Sequence, residues 1–263
     1  MALYEHLEEA VENGVATVTL DRPDVRNALS AGLISELTRC MSEMAEREDV
    51  RVVVLTGRGE SFCAGADIGY MRQTAGFSYE ENLEDARRLA ALFETISACP
   101  KPVVARVRGA AIGGGVGLVA AADMGVAEEG CVFAFSEVRL GISPATIAPF
   151  VLRKIGHSHA RALFLTGERF DAERAREIGL VHEVAPEEEL DTLVQKKAGQ
   201  IVSGGPEALA STKRLLGELA EADLEEVTGI TAARIAELRT GEEGQEGLTA
   251  FMEKRKPRWN GER

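Results

Sequence analysis

The chain has 263 residues, of which 45% are hydrophobic and 28% are charged, and its formal net charge is −13. This composition is that of a globular protein and excludes fibrous and intrinsically disordered classes. The acidic balance argues against nucleic acid as a partner, and a polyanionic ligand would need a site that gathers positive charge locally.

The cysteines and histidines point to no metal site and no disulfide framework. Four of each are scattered along the chain, without a C-x-x-C pair, which is typical of a reducing compartment. The acidic N-terminus, MALYEHLEE, lacks the apolar core of a signal peptide. The most apolar stretch, 110–122, is too short to span a membrane. We therefore expect a cytoplasmic protein with no membrane partner.

In chain order, short valine-rich runs alternate with helical patterns. The runs predict strands at Val15–Leu20, Val50–Thr56, Pro102–Val107 and Val132–Val138. Between them, Ser30 is a candidate N-cap of one amphipathic helix, and a second apolar stripe runs from Leu83 to Ile96. This alternation predicts an α/β fold.

From about residue 149 the strand signals fade and helical patterns dominate. Pro186, which precedes three glutamates, and Pro206 each predict a helix start. Further helices are expected at 206–220, 224–239 and 246–254. We place a domain boundary near residue 200. The segment 201–263 is then a helical region that packs on a partner subunit or caps its own core.

The segment Ser61–Ile68, SFCAGADI, is the first candidate for chemistry and follows the second predicted strand across a short loop. Gly65 can adopt a backbone conformation that directs successive N–H groups toward one point. The residues from Asp67 onward predict a helix start, and an N–H group at such a turn can stabilise an oxyanion. Alone, the motif is weak, because many turns carry Ala-Gly-Ala.

The second motif is 109–123, in which the triplet Gly113–Gly115 precedes an Ala- and Val-rich helical pattern. Glycine lets another molecule approach the backbone closely, and a helix N-terminus presents unpaired N–H groups with a partial positive charge. Close helix packing is the alternative, and for a lone glycine triplet it is the better interpretation. The spacing fits neither a dinucleotide fingerprint nor a P-loop.

The third motif places Glu137 in the apolar run VFAFSEV, where an extended strand would put it on one face with Phe133 and Phe135. A carboxylate on an aromatic face is unfavourable unless it is paired or used in chemistry. Burial would raise its pKa toward the range useful for acid–base catalysis. A salt bridge to Arg139, which shares that face, explains the residue equally well.

Together, the three motifs resemble the crotonase, or enoyl-CoA hydratase/isomerase, family in order and spacing. The likeness extends to LDRPDVRNALS at 20–30 and to FMEKRKPRW at 251–259, and so covers nearly the whole chain. The resemblance implies a spiral of ββα turns over an acyl-CoA-binding core, 1–200, with an oligomerisation region, 201–263, that forms trimers or dimers of trimers. It implies no cofactor, because coenzyme A arrives with the acyl-CoA substrate.

The resemblance also implies roles for individual residues. It assigns the two oxyanion N–H donors to Ala66 and Gly114 and the catalytic carboxylate to Glu137. The residues it places against the substrate and CoA are Arg22, Arg26, Ala28, Ala64, Gly65, Asp67, Ile68, Gly113 and Gly117. Lys254 is expected to reach the CoA of a neighbouring subunit. Ordinary solvated charges remain the alternative for Arg26 and Lys254.

One position departs from the family pattern. Two-glutamate hydratases carry their first catalytic glutamate two residues past the glycine triplet, where this chain has Gly117. The expected activity is hydration with one glutamate. The alternatives are an enoyl-CoA isomerase that uses Glu137 alone and a non-catalytic CoA-binding scaffold.

The segments 65–83, 113–123 and 136–152 together most resemble the bacterial branch that hydrates 3-methylglutaconyl-CoA or isohexenylglutaconyl-CoA. The expected substrate is therefore branched or dicarboxylic. Arg72 or Arg139 is the candidate anchor for its distal carboxylate.

Overall fold

The computed structural model describes residues 4–261. The first three residues, which begin the segment considered for a signal peptide, and the last two lie outside it. The strands are β1 Leu7–Glu12, β2 Val15–Leu20, β3 Val52–Gly57, β4 Ser61–Cys63, β5 Val103–Val107, β6 Ala110–Ile112, β7 Met124–Glu128, β8 Val132–Ala134, β9 Arg169–Asp171 and β10 Glu183–Ala185. The helices are α1 Ala31–Glu46, α2 Ile68–Thr74, α3 Tyr79–Ala98, α4 Gly114–Ala121, α5 Ala148–Thr166, α6 Ala172–Glu177, α7 Glu187–Val202, α8 Pro206–Leu219, α9 Leu224–Thr240 and α10 Glu242–Met252.

Two sheets are built by one repeated connection. The larger has the order β1-β2-β3-β5-β7-β10 and the smaller β4-β6-β8-β9. From β3 to β8, each odd-numbered strand lies in the larger sheet and the next strand in the smaller one, and helices complete each turn. Neighbours from β2 to β10 in the larger sheet are parallel, as such crossovers require. The expected α/β architecture of ββα turns is confirmed.

The helix starts follow from the predicted caps. The Ser30 hydroxyl accepts a hydrogen bond from the Leu33 N–H at 3.3 Å, so α1 begins where its sequence indicated. In α3, Phe93 and Ile96 are fully buried, whereas Leu83, near the N-terminal end, is exposed. The apolar stripe on α3 therefore contacts the core only along its C-terminal half.

The expected strand over Val132–Val138 is wrong beyond Ala134. The strand β8 ends there, where its antiparallel pairing with β9 also ends. Ser136 then leaves the extended conformation, and Glu137 begins a 3₁₀ turn, Glu137–Leu140. Glu137 thus shares no strand face with Phe133.

The C-terminal helices form largely as expected, but they bury few side chains. The last helix, α10, begins four residues earlier than the pattern predicted, at Glu242. Helix α9, described in full, buries none of its residues, and Leu224, Phe251 and Met252 are exposed. Packing on a partner subunit and the boundary near residue 200 stay predictions. Among residues 4–261, no helix is long and apolar enough to cross a membrane.

Candidate active site

The backbone around Ala66 is held by an isolated parallel bridge to Leu29. The Leu29 N–H donates to the Gly65 carbonyl at 2.7 Å, and the Asp67 N–H donates to the Leu29 carbonyl at 3.0 Å. A parallel bridge uses the peptides on either side of its central residue, so the Ala66 N–H faces away from Leu29. Within residues 4–261 this N–H has no acceptor. It is therefore available to a ligand.

Gly65 makes this geometry possible. Its φ is +90°, and an added Cβ would lie 2.8 Å from the Ile112 carbonyl oxygen. Any other residue would both strain the turn and collide with β6. The glycine therefore sets the direction of the next peptide, which carries the Ala66 N–H.

Asp67 locks the loop from the other side. One carboxylate oxygen caps α2 by accepting from the Tyr70 N–H at 3.0 Å, and the other accepts from Arg22 Nη2 at 2.9 Å. The Tyr70 N–H, together with Arg22, holds the pKa of Asp67 below its usual range. Arg22 also donates to the Ala28 carbonyl at 2.5 Å. In this structure Arg22 therefore positions the loop.

A further residue in this loop had no role assigned from the sequence. Asn27 is fully buried and donates to the carbonyls of Arg58 and Ser61 at 2.9 and 2.8 Å. Its side-chain oxygen accepts from the Arg22 N–H at 2.9 Å. The sequence feature that could have indicated it is a polar residue next to the turn RPDV. Asn27 fastens the loop to the start of β4.

The glycine triplet supplies the second donor. Gly113 caps α4 with φ +50°, and its N–H donates to the Ala134 carbonyl at 2.8 Å. Gly114 is the first residue of α4, so its N–H has no intrahelical acceptor, and residues 4–261 offer it none elsewhere. Close packing, the alternative interpretation of the triplet, is observed at Gly115, where an added Cβ would overlap the Cys63 carbonyl. The donor role of Gly114 stays a prediction.

Glu137 lies against this helix start. An added Cβ on Gly113 would be 3.0 Å from Glu137 Oε1. The side chain is half-buried, and within residues 4–261 its Oε2 has no hydrogen-bond partner. Burial raises the pKa of Glu137. No ion pair to Arg139 forms within the described chain, and Arg139 lies beside Gly167 instead, which leaves this carboxylate free for chemistry.

These groups open into one cavity of about 590 Å³, a size typical of small-molecule sites. Of the predicted residues, those that line it are Ala64, Gly65, Ala66, Gly113, Gly114 and Glu137. The remaining wall is mostly apolar, with contributions from Leu29, Ile34, Met71, Leu89, Ile142 and Ile147. Tyr70 and Asp85 also line the cavity, and no sequence pattern had indicated either residue.

Comparisons with known proteins agree with this geometry. The chain matches the Enoyl-CoA hydratase/isomerase family over residues 10–262. Similar solved structures include an enoyl-CoA hydratase from Shewanella pealeana, with 39% identity, a TM-score of 0.95 and coverage of 98% of this chain and 97% of that one. Pseudomonas aeruginosa AtuE shows 38% identity and a TM-score of 0.94, with 98% and 100% covered. A crotonyl-CoA hydratase of Syntrophomonas wolfei is 34% identical, with 96% and 97% covered.

The chain belongs to the enoyl-CoA hydratase/isomerase family. Similarity to these structures along 98% of the chain also confirms the expected crotonase-type fold.

Gly117, where two-glutamate family members carry an acid, has no room for a side chain. An added Cβ would overlap Ile147 Cγ2 and would lie 2.9 Å from the Phe93 ring. Both of these side chains are buried. Apolar groups therefore fill the space beside Gly117, and the acidic side chains that line the cavity are Glu137 and Asp85.

The remaining residues that family membership suggests for CoA lie outside the cavity lining. Arg26 is exposed, and its carbonyl accepts from the Ala64 N–H at 3.0 Å. Ala28 is buried, whereas Ile68 and Lys254 are exposed. Their contacts with CoA stay predictions. Neither Arg72 nor Arg139 is among the described residues that line the cavity.

Proposed function

We propose that this protein is an enoyl-CoA hydratase, which adds water across the 2,3 double bond of an acyl-CoA thioester. The observation that carries the proposal is the Glu137 carboxylate. It lies half-buried beside a cavity that the Ala66 and Gly114 peptides border, and its Oε2 atom is buried without a hydrogen-bond partner within residues 4–261. A buried carboxylate without a partner is unfavourable for stability and is typical of functional sites.

In the proposed reaction the thioester oxygen accepts hydrogen bonds from the Ala66 and Gly114 N–H groups. These donors draw electron density from C3 and stabilise the enolate that forms when oxygen adds there. Removing one such donor typically lowers the rate about 10²–10³-fold. The macrodipole of α4 adds partial positive charge at Gly114.

Glu137 performs the proton transfers in this scheme. Its ionised carboxylate takes a proton from water as the water oxygen bonds to C3. The resulting carboxylic acid then returns a proton to C2 of the enolate, so that one water is added and the carboxylate is regenerated. A pKa raised by burial supports this role, because an acid–base group works best when its pKa lies near the working pH.

The substrate we propose is a branched or dicarboxylic enoyl-CoA such as 3-methylglutaconyl-CoA. The support is the likeness of segments 65–83, 113–123 and 136–152 to that branch of the family. Arg72 and Arg139 lie outside the cavity lining, so the anchor first considered for a distal carboxylate receives no support. Polar groups that do line the cavity include the hydroxyls of Ser143 and Thr146.

An enoyl-CoA isomerase is the second candidate, and the enclosure of Gly117 is the observation that favours it. A 1,3 proton shuttle needs one carboxylate and no activated water, so Ile147 and Phe93 in the adjacent space would be no handicap. A non-catalytic CoA-binding scaffold is less well supported, since it would have no use for an unpaired Glu137.

The test offers three thioesters to purified protein and to Glu137→Gln: 3-methylglutaconyl-CoA, crotonyl-CoA and a 3-enoyl-CoA, with products separated by mass. Gain of one water by the first two, lost in the variant, is the expected result. Isomerised 3-enoyl product without hydration would replace the hydratase by the isomerase. Inactivity on all three would favour the scaffold.

A further inference from the structure

Helix α2 forms one wall of the cavity yet adds nothing to the buried core. Tyr70, Met71 and Thr74 line the cavity from this helix, and none of its seven residues, all described, is buried. Helix α3 supplies Asp85 and Leu89 to the same cavity. An element with so little buried surface is only weakly held by packing.

A side-chain hydrogen bond joins the two helices here. The Tyr70 hydroxyl donates a hydrogen bond to a carboxylate oxygen of Asp85. Within residues 4–261, no other side-chain hydrogen bond or ion pair links α2 to α3. Burial, together with Asp85, raises the pKa of Tyr70 to about 12. The hydroxyl therefore keeps its proton, and remains a donor, at neutral pH.

The oxyanion donor is held by different contacts. Ala66 is fixed by the bridge to Leu29, and the next residue, Asp67, by Arg22. These contacts all precede α2 or lie at its cap. The Tyr70–Asp85 hydrogen bond therefore bears on the cavity wall beyond the donor and not on the donor itself.

We infer that the Tyr70–Asp85 hydrogen bond is a latch that fixes the position of α2 relative to α3 and so sets the length of acyl chain that the cavity accepts. The inference rests on the proposed function in one respect, that the cavity holds the acyl group of a CoA thioester. With the latch closed, the wall bounds a short or branched acyl group. When it is broken, α2 can move outward, because no buried side chain of its own retains it. Tyr70 and Asp85 are positioning residues for specificity.

Two variants break the latch. Tyr70→Phe removes the hydroxyl and keeps the ring, and Asp85→Ala removes the acceptor. In both, the ratio of kcat/KM for 2-decenoyl-CoA to kcat/KM for crotonyl-CoA should rise about tenfold or more, since one methylene in a pocket is worth about that much. The change should appear in KM, with kcat for crotonyl-CoA within about threefold of wild type, because Ala66 and Glu137 are held elsewhere.

Matched controls separate the latch from a general loss of stability. Asp85→Asn keeps an oxygen that can accept from Tyr70, so its ratio should stay within about twofold of wild type. Tyr79→Phe removes the hydroxyl of a tyrosine that is 76% exposed at the start of α3, and it should change nothing. Hydrogen exchange of the α2 amides should accelerate in Tyr70→Phe and Asp85→Ala only.

Binding of butyryl-CoA and decanoyl-CoA, neither of which can be hydrated, tests the latch independently of turnover. The ratio of their Kd values should shift toward decanoyl-CoA in the two latch variants, even if the wild type hydrates nothing and the proposed function fails. Unchanged ratios with unchanged α2 exchange would overturn the latch. So would a loss of kcat without a change in KM, or an Asp85→Asn variant that behaves like Asp85→Ala.

Discussion

The two sides of the cavity are built in opposite ways. On the side where the oxyanion is proposed to bind, backbone N–H groups border the cavity and are held by buried contacts: Gly115 packs on Cys63, Gly65 packs on Ile112, and the Leu29 bridge holds Ala66. On the acyl side, α2 presents side chains, buries none of its residues and is tied to α3 by Tyr70 and Asp85. In the proposed scheme the chemistry therefore depends on a rigid backbone, and the choice of substrate depends on a loosely held wall.

The largest expected effect tests whether Glu137 transfers protons to and from the thioester that the rigid backbone is proposed to hold. Glu137→Gln keeps the shape but cannot take a proton, so kcat should fall about 10²–10⁴-fold. The measurement is steady-state hydration of crotonyl-CoA. Glu48→Gln, on an exposed glutamate, is the matched control and should retain full activity. Equal activity of both variants would remove Glu137 from the mechanism.

Next in size is a pair of glycine substitutions, one on each side of the cavity. Gly65→Ala places a Cβ at φ +90° and 2.8 Å from the Ile112 oxygen, which must displace the Ala66 N–H. Its kcat should fall about 10²–10³-fold, the usual loss for one oxyanion donor. Gly76→Ala, in the turn after α2, meets nothing closer than 3.9 Å and should change kcat by less than about threefold. Similar losses in both variants would contradict the contrast between a rigid and a loose side.

The same contrast explains which parts of the site the sequence could predict. The roles proposed for Ala66 and Gly114 use backbone N–H groups, and the glycines that direct these groups can be recognised in the sequence. The strand expected through Glu137 failed because no partner strand extends beyond Ala134, a tertiary fact that periodicity cannot report. Tyr70 meets Asp85 only because the tertiary structure brings α2 and α3 together at this point.

The anchors expected at Arg72 and Arg139 stay predictions, and neither residue is among the described residues that line the cavity. A cation was placed by its charge and its nearness in sequence to a motif, whereas the direction of its side chain depends on packing. The fold was predictable for the opposite reason. Capped helices, such as the one that starts at Ser30, and valine-rich strands repeat a local pattern whose connections allow few topologies.

A smaller effect is expected at Gly117, on the rigid side of the cavity, where no space remains for a side chain. Gly117→Ala would push a methyl group into Ile147 and the Phe93 ring, and overpacking of this kind costs about 1–3 kcal/mol. Urea denaturation measures the loss, which should be smaller when Gly117→Ala is made in an Ile147→Ala background, from which the overlapping methyl group is absent. Gly229→Ala, on a helix where an added Cβ meets nothing within 4 Å, is the control and should not destabilise. A Gly117→Ala protein as stable as wild type would show that Ile147 and Phe93 can move to accommodate the methyl group.

The smallest expected effect concerns the free energy of unfolding that the protein loses by burying the ionised carboxylate of Glu137. Burial raises the pKa of Glu137 in the folded protein. The protein therefore has its full stability below the pKa of glutamate in the unfolded chain, about 4.3, and loses part of it as pH rises through the folded pKa. Glutamine stays neutral throughout. Glu137→Gln should therefore be more stable than wild type by about 1 kcal/mol at neutral pH, and the difference should vanish near pH 3, about one unit below the ordinary glutamate value.

Urea denaturation at the two pH values measures that difference, and hydration kinetics supply its functional counterpart. Because Glu137 acts as a base in its ionised form, kcat/KM should fall as pH drops through the same raised pKa, above the ordinary glutamate range. A stability difference that is equal at both pH values would assign it to packing rather than to charge. The fall of kcat/KM at low pH would then be due to another group, and Glu137 would no longer be the candidate for the proton transfer.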